Sequence, residues 1–224
     1  AFNRCLRKIG NNLDPYGATQ KSWSECIQCR LHTTRKHSIV GSGDTRAGVL
    51  IIGEAPGEEE DQNGIPFCGR TGTLLRTMLT KVGFDLKHEV YFSNAVACIP
   101  KDTKDSKFRT PTPQEITACS ARLQFIRTHI GTNDRCVVLL GKTAYAAWKS
   151  GGDEEELNRL LRSTKMGSIL GWNIDFTEPT YVTYHPSFIE RQGRPKELTQ
   201  EWVNDLKAVR KYWLTKKMHH LRSK

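Results

Sequence analysis

Val49 to Gly53 constrain the fold of this chain more than any other segment. A continuous VLIIG run offers water no polar face, so it reads as a strand buried on both sides, as strands of parallel sheets are. Parallel neighbours need crossovers, and helical patterns lie between further apolar runs. Glu89 to Ala97, Arg135 to Leu140 and Tyr181 to Tyr184 read as three more strands. Thr71 to Val82 is an amphipathic helix with Leu74, Leu75, Met78 and Leu79 on one face, and Pro113 opens a second helix running to Ile130. Ala144 to Ser150 forms a third, and a long basic helix starts at Pro195. The alternation predicts a three-layer α/β/α fold around a central, mostly parallel four-stranded sheet. One domain is expected over residues 1–224. Its N-terminal segment, 1–46, holds one helical candidate, Thr19 to Leu31, and 195–224 form the basic C-terminal helix.

The 34 Lys and Arg against 24 Asp and Glu leave a net charge of +10, which favours a polyanionic partner such as nucleic acid. No apolar run is long enough to span a bilayer, and the opening AFNRCLRKIG lacks the apolar core of a secretory signal. Seven cysteines without such a signal point to a reducing compartment, and to metal binding or catalysis rather than disulfides.

Ligands of open α/β sheets sit beyond the carboxyl ends of the strands, so the loops found there are the ones to question. The first strand is followed by Gly53-Glu54-Ala55-Pro56-Gly57-Glu58-Glu59-Glu60-Asp61 and then Gly64-Ile65-Pro66-Phe67-Cys68-Gly69. Gly and Pro fix a tight loop whose backbone N–H groups can approach a ligand closely. Phe67 in that loop is poorly placed for a core; it either lids an acidic surface loop or stacks on a planar base. Asn94 follows the second strand, where its amide suits either a turn or the edge of a pyrimidine. His185-Pro186-Ser187 follows the fourth, and alone such a His is as well read as structural. Gly141-Lys142-Thr143 hints at a phosphate loop, but Cys136 stands where that motif needs glycine, which rejects it.

Cys26-x2-Cys29, Cys98 and Cys119 form a four-thiolate set. Zinc and a [4Fe-4S] cluster both accept four cysteines, and the paired spacing by itself leans to zinc. Cys136 falls in a strand and reads as core, while Cys68, beside Phe67, is placed to line a pocket; Cys5 is left over.

Taken together, the GEAPG…ED…G-x-PF-x-G loop, Asn94, the HPS-x-x-x-R run from His185 to Arg191 and the four cysteines resemble the iron–sulfur, family 4 branch of the uracil-DNA glycosylase superfamily. The resemblance covers roughly Cys26 to Arg191. It implies a DNA glycosylase of base excision repair that flips uracil out of DNA and hydrolyses its N-glycosidic bond. Its implied surroundings are those of a cytoplasmic, nucleoid-associated monomer. By resemblance, Cys26, Cys29, Cys98 and Cys119 hold a [4Fe-4S] cluster that staples the N-terminal segment to the sheet and takes no part in breaking the bond. Phe67 stacks on uracil, Asn94 bonds its edge, and main-chain groups of Gly53, Glu54, Ala55, Pro56 and Gly57 bind carbonyls and phosphate. His185 donates to uracil O2, Glu60 excludes the methyl group of thymine, and Ser187 and Arg191 complete the site, Arg191 on phosphate. Where the best-known relatives place a water-orienting Asp, this chain has Ala55, so Glu54 becomes the candidate for that task.

Two positions depart from the family pattern. Cys98 is followed by Ile99-Pro100 and a charged insertion, Lys101 to Thr112, and Cys68 replaces the Val that follows the stacking Phe. Two rival readings stand beside the enzyme. One is a superfamily member that grips DNA or a modified base without cutting it, using the insertion and Lys207, Arg210, Lys211, Lys216 and Lys217. The other is a zinc-stabilised nucleotide-processing enzyme holding a divalent ion on Glu58 to Asp61.

Overall fold

The computed structural model describes residues 22–131 and 135–222. The apolar runs form a parallel core: β2 (Val49–Gly53), β3 (Val90–Asn94), β4 (Cys136–Leu140) and β6 (Thr180–Thr183) pair in the order β3-β2-β4-β6. Two short antiparallel strands widen the expected four-stranded sheet to six. β1 (Ser42–Gly43) pairs with β3, and β5 (Gly171–Asn173) pairs with β6. Strands of two or three residues are too short to show alternation, so periodicity passes over them.

The helices are α1 (Glu58–Asn63), α2 (Arg70–Lys81), α3 (Pro113–His129), α4 (Lys142–Ser150), α5 (Glu154–Ser163), α6 (Pro186–Arg191) and α7 (Lys196–Arg222). Side-chain alternation splits them into two layers. Leu50, Ile52, Tyr91, Val137, Leu139 and Val182 face α3, α4 and α5, through Leu123, Ile126, Trp148 and Leu157. Val49, Ile51, Phe92, Val138, Leu140 and Tyr181 face α2 and α7, through Leu75, Leu79, Trp202 and Leu206. Thr112 caps α3 by accepting from the Glu115 amide at 3.3 Å, and Glu115 accepts from the Thr112 amide at 2.8 Å. That reciprocal box, with Pro113 at the first helical position, starts the helix where the sequence places it. Among the described residues no helix is long and apolar enough to cross a membrane.

Two expectations need correction. The helix anticipated over Thr19 to Leu31 is not continuous: residues 22–24 are helical, and a 3₁₀ turn follows only at Arg30–Thr33, with Thr19 to Lys21 outside the described residues. Arg35 takes the carbonyls of Ser24 at 3.3 Å and Cys26 at 2.6 Å, which draws them away from helical pairing. The acidic stretch after β2, anticipated as loop, contains α1, closed by Gly64 in the left-handed region at φ 69°.

The basic helix α7 spends part of its charge inside the fold. Arg210 donates to Glu89 at 2.6 Å and Lys217 at 3.0 Å, with the Trp213 indole at 3.3 Å. Burial alone would raise the Glu89 carboxyl, but the Asp85 amide and these donors outweigh it and hold it below the usual range. A Cβ on Gly48 would lie 1.9 Å from the Trp213 ring, so the helix presses on the backbone just ahead of β2. Leu75 is fully buried between α2 and the sheet. Leu75→Ala should lower unfolding stability by about 2–5 kcal/mol, read as a lower denaturant midpoint at unchanged slope.

Candidate active site

β3 and β4 lie on opposite sides of β2, so the crossovers leaving β2 and β3 diverge and open a crevice at the carboxyl ends. The loop after β2 enters it. Glu60, buried on α1, accepts from the Gly57 amide at 3.1 Å through Oε2 and from the Gly69 amide at 2.8 Å through Oε1. One carboxylate thus ties both ends of the loop. Ala55 and Gly57 are half-buried and Pro56 is buried.

Phe67 lies in this loop with φ 54°, a left-handed conformation that a bulky residue adopts only when its surroundings impose it. Arg76 imposes it, donating Nε to the Phe67 carbonyl and Nη2 to the Pro66 carbonyl, both at 2.9 Å. Gly72 makes room beneath, since a Cβ there would fall 2.3 Å from the Phe67 carbonyl carbon. The Phe67 ring is 6% exposed and leans on Phe92 at 5.6 Å between centroids. It belongs to the core edge, contrary to the sequence-based expectation that such a loop residue suits a core poorly. A Cβ on Gly53 would lie 2.4 Å from Asn94 Oδ1 and 2.7 Å from Phe67 Cζ, so Gly53, Phe67 and Asn94 meet at one spot. Asn94 is buried at the end of β3.

From β6 the chain delivers His185, which caps α6 with its own ring. Nδ1 accepts from the Ser187 amide at 3.2 Å and lies 2.8 Å from Ser187 Oγ, which in turn accepts from Arg191 Nη1 at 3.1 Å. An Nδ1 that accepts a backbone N–H leaves the proton of a neutral imidazole on Nε2. Burial, with Arg191 adding to it, pushes the His185 pKa from 6.5 down to about 4. Gly141 before α4 has φ 88°, a backbone conformation that L side chains rarely adopt, and a Cβ there would come into ordinary contact with His185 Cβ at 3.4 Å. Two residues on, Thr143 donates to Glu54 Oε2 at 2.6 Å. Glu54 and His185 therefore both lie at the start of α4.

The four cysteines share a second site. Cys26, Cys29, Cys98 and Cys119 line one small cavity, partly open to solvent, together with Trp23 and Arg35. Arg35 Nη1 donates to Cys98 Sγ at 3.2 Å and Arg122 Nε to Cys119 Sγ at 3.3 Å. Burial, and then the neighbouring Cys119, raise the Cys98 thiol to about 11, and burial raises Cys29 as well. Four thiolates here need a cation among them. Among the described residues no three His, Cys, Asp or Glu converge to grip a single metal ion. The thiols ring a cavity rather than a point. Cys136 is core as expected, Cys68 is half-buried beside α1, and Cys5 lies outside the described residues.

The acidic run does not form a divalent-ion site. Glu58 pairs with Lys101 at 2.8 Å, Glu60 holds the loop amides, and Asp61 accepts from the amides of Lys36 and His37 at 2.9 and 3.1 Å. Glu59 accepts from the Arg70 amide at 3.4 Å, so each of the four carboxylates is turned to a different partner. The Lys101 contact pins the insertion to α1, and Arg109 pins its far end to Glu115 with paired bonds of 2.9 and 2.8 Å. Arg76, Thr143 and Arg122 are contributors that sequence reasoning missed. Only Arg122 carried a signal, standing three residues past Cys119 on the same helix face.

The His185 ring offers a direct check. Nitrogen NMR should show the Nε2–H tautomer persisting down to about pH 5, with protonation only near 4. Unfolded His titrates near 6.5, so between about 6.5 and 4 the unfolded state binds more protons. Stability present above 6.5 should accordingly be lost as pH falls through that window.

The family model of the uracil DNA glycosylase superfamily matches residues 40–207. The type-4 uracil-DNA glycosylase of Thermotoga maritima is 32% identical over 194 residues, covering 84% of this chain and 89% of the relative. That of Archaeoglobus fulgidus is 35% identical over 184 residues, covering 82% and 86%. That of Pyrobaculum aerophilum is 33% identical over 170 residues, covering 75% and 80%. With a match that spans the sheet, the loop after β2 and the His185 turn, the chain belongs to the uracil DNA glycosylase superfamily, alongside its type-4 members.

Proposed function

We propose that the protein excises uracil from DNA by hydrolysing the bond between the base and C1′ of its sugar. The observation that carries this reading is the His185 turn: a neutral imidazole, its Nδ1 occupied by the Ser187 amide, aims an Nε2–H donor from the carboxyl end of β6. Uracil leaves as an anion whose charge spreads onto O2, so a fixed donor there stabilises the transition state more than the bound substrate. A neutral ring is the right form, because protonation would trade a hydrogen bond for a buried charge.

The nucleotide has to leave the stack first, at a cost of a few kcal/mol. Phe67 receives the flipped ring on its stacking face, and Asn94, against Gly53, bonds the edge of the pyrimidine. Main-chain groups from Gly53 through Ala55 and Pro56 to Gly57 take the carbonyls and the phosphate. Glu60, both oxygens tied to loop amides, is a fixed wall against a 5-methyl group. Arg191, exposed at the end of α6, meets phosphate beside the lesion and steadies Ser187. Glu54, with Oε2 engaged by Thr143, orients the attacking water through its other oxygen.

The cysteine cavity fits a [4Fe-4S] cluster held by Cys26, Cys29, Cys98 and Cys119. Four thiols around a cavity suit a polynuclear group, whereas a lone zinc needs every sulfur at about 2.3 Å from one point. When bound, such a group would offset part of the thiolates' charge and tie the N-terminal segment to β3 and α3. Arg35 and Arg122 would donate to its sulfurs, as they do to Cys98 and Cys119.

Incubation with a uracil-containing oligonucleotide followed by alkali should cleave the strand. His185→Ala should slow single-turnover excision at least about 100-fold with little change in DNA affinity. Phe67→Ala should instead weaken capture of the flipped base by about 1–3 kcal/mol. Wild-type excision by His185→Ala would overturn the assignment of the donor.

Protein purified without oxygen should be brown and contain iron, and Cys98→Ser should bleach it. A colourless protein with stoichiometric zinc would overturn the cluster and leave excision standing.

A further inference from the structure

Arg122 sits on α3, three residues past Cys119, with its side chain 1% exposed. A guanidinium has five N–H donors, and here each has an acceptor. Nε donates to Cys119 Sγ at 3.3 Å; Nη1 donates to the Val40 carbonyl at 3.0 Å and Ser93 Oγ at 2.9 Å. Nη2 donates to the carbonyl of Asn94 and to that of Ala95, the latter at 3.0 Å. Four of these acceptors are neutral. Among the described residues no carboxylate pairs with this cation, and a buried cation without an anion carries a heavy desolvation penalty. The sulfur of Cys119 is the one acceptor able to hold negative charge.

We propose that Arg122 is a positioning residue that couples the cysteine site to the uracil pocket. At one edge it donates Nε to Cys119 Sγ. At the other it grips the carbonyls of Asn94 and Ala95, and so sets the end of β3 that presents the Asn94 amide beside Gly53 and Phe67. Metal held by the cysteines would fix Cys119 Sγ and, through it, the Arg122 guanidinium, so filling the cysteine site holds Asn94 in register although the metal never touches uracil. Arg35 differs in the respect that matters. It also donates to a sulfur, but its other bonds end on Ser24 and Cys26, within the N-terminal segment. The coupling rests on reading the four cysteines as a metal site.

Hydrogen exchange measured by mass spectrometry, with single-turnover excision, tests it. Removing the metal by oxidation and chelation should speed exchange of residues 93–96 at least about tenfold and leave β4 residues 137–139 protected. Arg122→Lys should do the same with metal bound, and Arg35→Lys should leave residues 93–96 protected. Arg122→Lys should also slow excision at least about tenfold, and in the Asn94→Ala background the same change should cost no more than about twofold. Unchanged exchange at 93–96 on metal removal overturns the coupling, as do additive losses in the double variant. Loss of protection across β4 as well overturns it too, since the metal would then support the whole fold. If Arg122→Lys fails to fold, the stripped wild type decides. A protein isolated without metal that still excises uracil and protects 93–96 ends both the metal reading and the coupling, while excision stands. Absent excision with metal-dependent exchange at 93–96 ends the proposed function and keeps the coupling.

Discussion

A parallel sheet cannot return its strands directly, and the divergence of its crossovers at β2 is the constraint on which the rest of this structure depends. Because β3 pairs on one side of β2 and β4 on the other, the crossovers diverge and leave a gap at the carboxyl ends. The loop from Gly53, the end of β3 and the His185 turn all enter that gap. Both helical layers serve it at a distance, burying the two faces of the strands so that their ends are held rigidly. At the opposite end of the sheet, Glu89 gathers Arg210, Lys217 and Trp213, so these side chains hold the long helix to the start of β3.

Irregular backbone at a site needs its polar groups answered, and a few buried charged side chains do this here. Glu60 answers the amides of Gly57 and Gly69, Asp61 those of Lys36 and His37, and Arg76 the carbonyls of Pro66 and Phe67. A hydrogen-bonded carboxylate or guanidinium is worth more in such a place than a neutral group, and loses more if its partner goes. That explains why an acidic run suggestive of a metal site is in fact a set of separate loop clamps. The same logic applies at Arg122, whose five donors reach from Val40 to Cys119 and so span the N-terminal segment, β3 and α3.

Much of the architecture was legible because the signals are local. The VLIIG run, the leucine face of α2 and the Thr112-Pro113 start of α3 fall where the sequence places them, and four parallel strands follow from them. The misses have physical causes. β1 and β5 are shorter than any period, α1 hides in a run of acids, and Arg35 diverts carbonyls that would have continued the first helix. For the candidate site, the loops that meet at the carboxyl ends of the strands were legible and the states of their side chains were not. Phe67 was placed in the right loop, but its left-handed backbone and burial against Phe92 depend on Arg76 and Gly72.

By itself the sequence determined the strands, the faces of the helices and the motif loops at their ends, since periodicity and turn chemistry act between near neighbours. It also determined the family, through GEAPG, Asn94 and HPS in their order. Only the tertiary structure decided which nitrogen of His185 carries the proton, which cations of α7 are spent on Glu89, and that one guanidinium reaches both Cys119 and Asn94. Those outcomes are set by burial and by partners distant along the chain: Arg122 and Val40, hydrogen-bonded, are 82 positions apart. No pattern read along the chain contains a contact of that kind, because the desolvation that gives it its strength exists only once the core has closed around it.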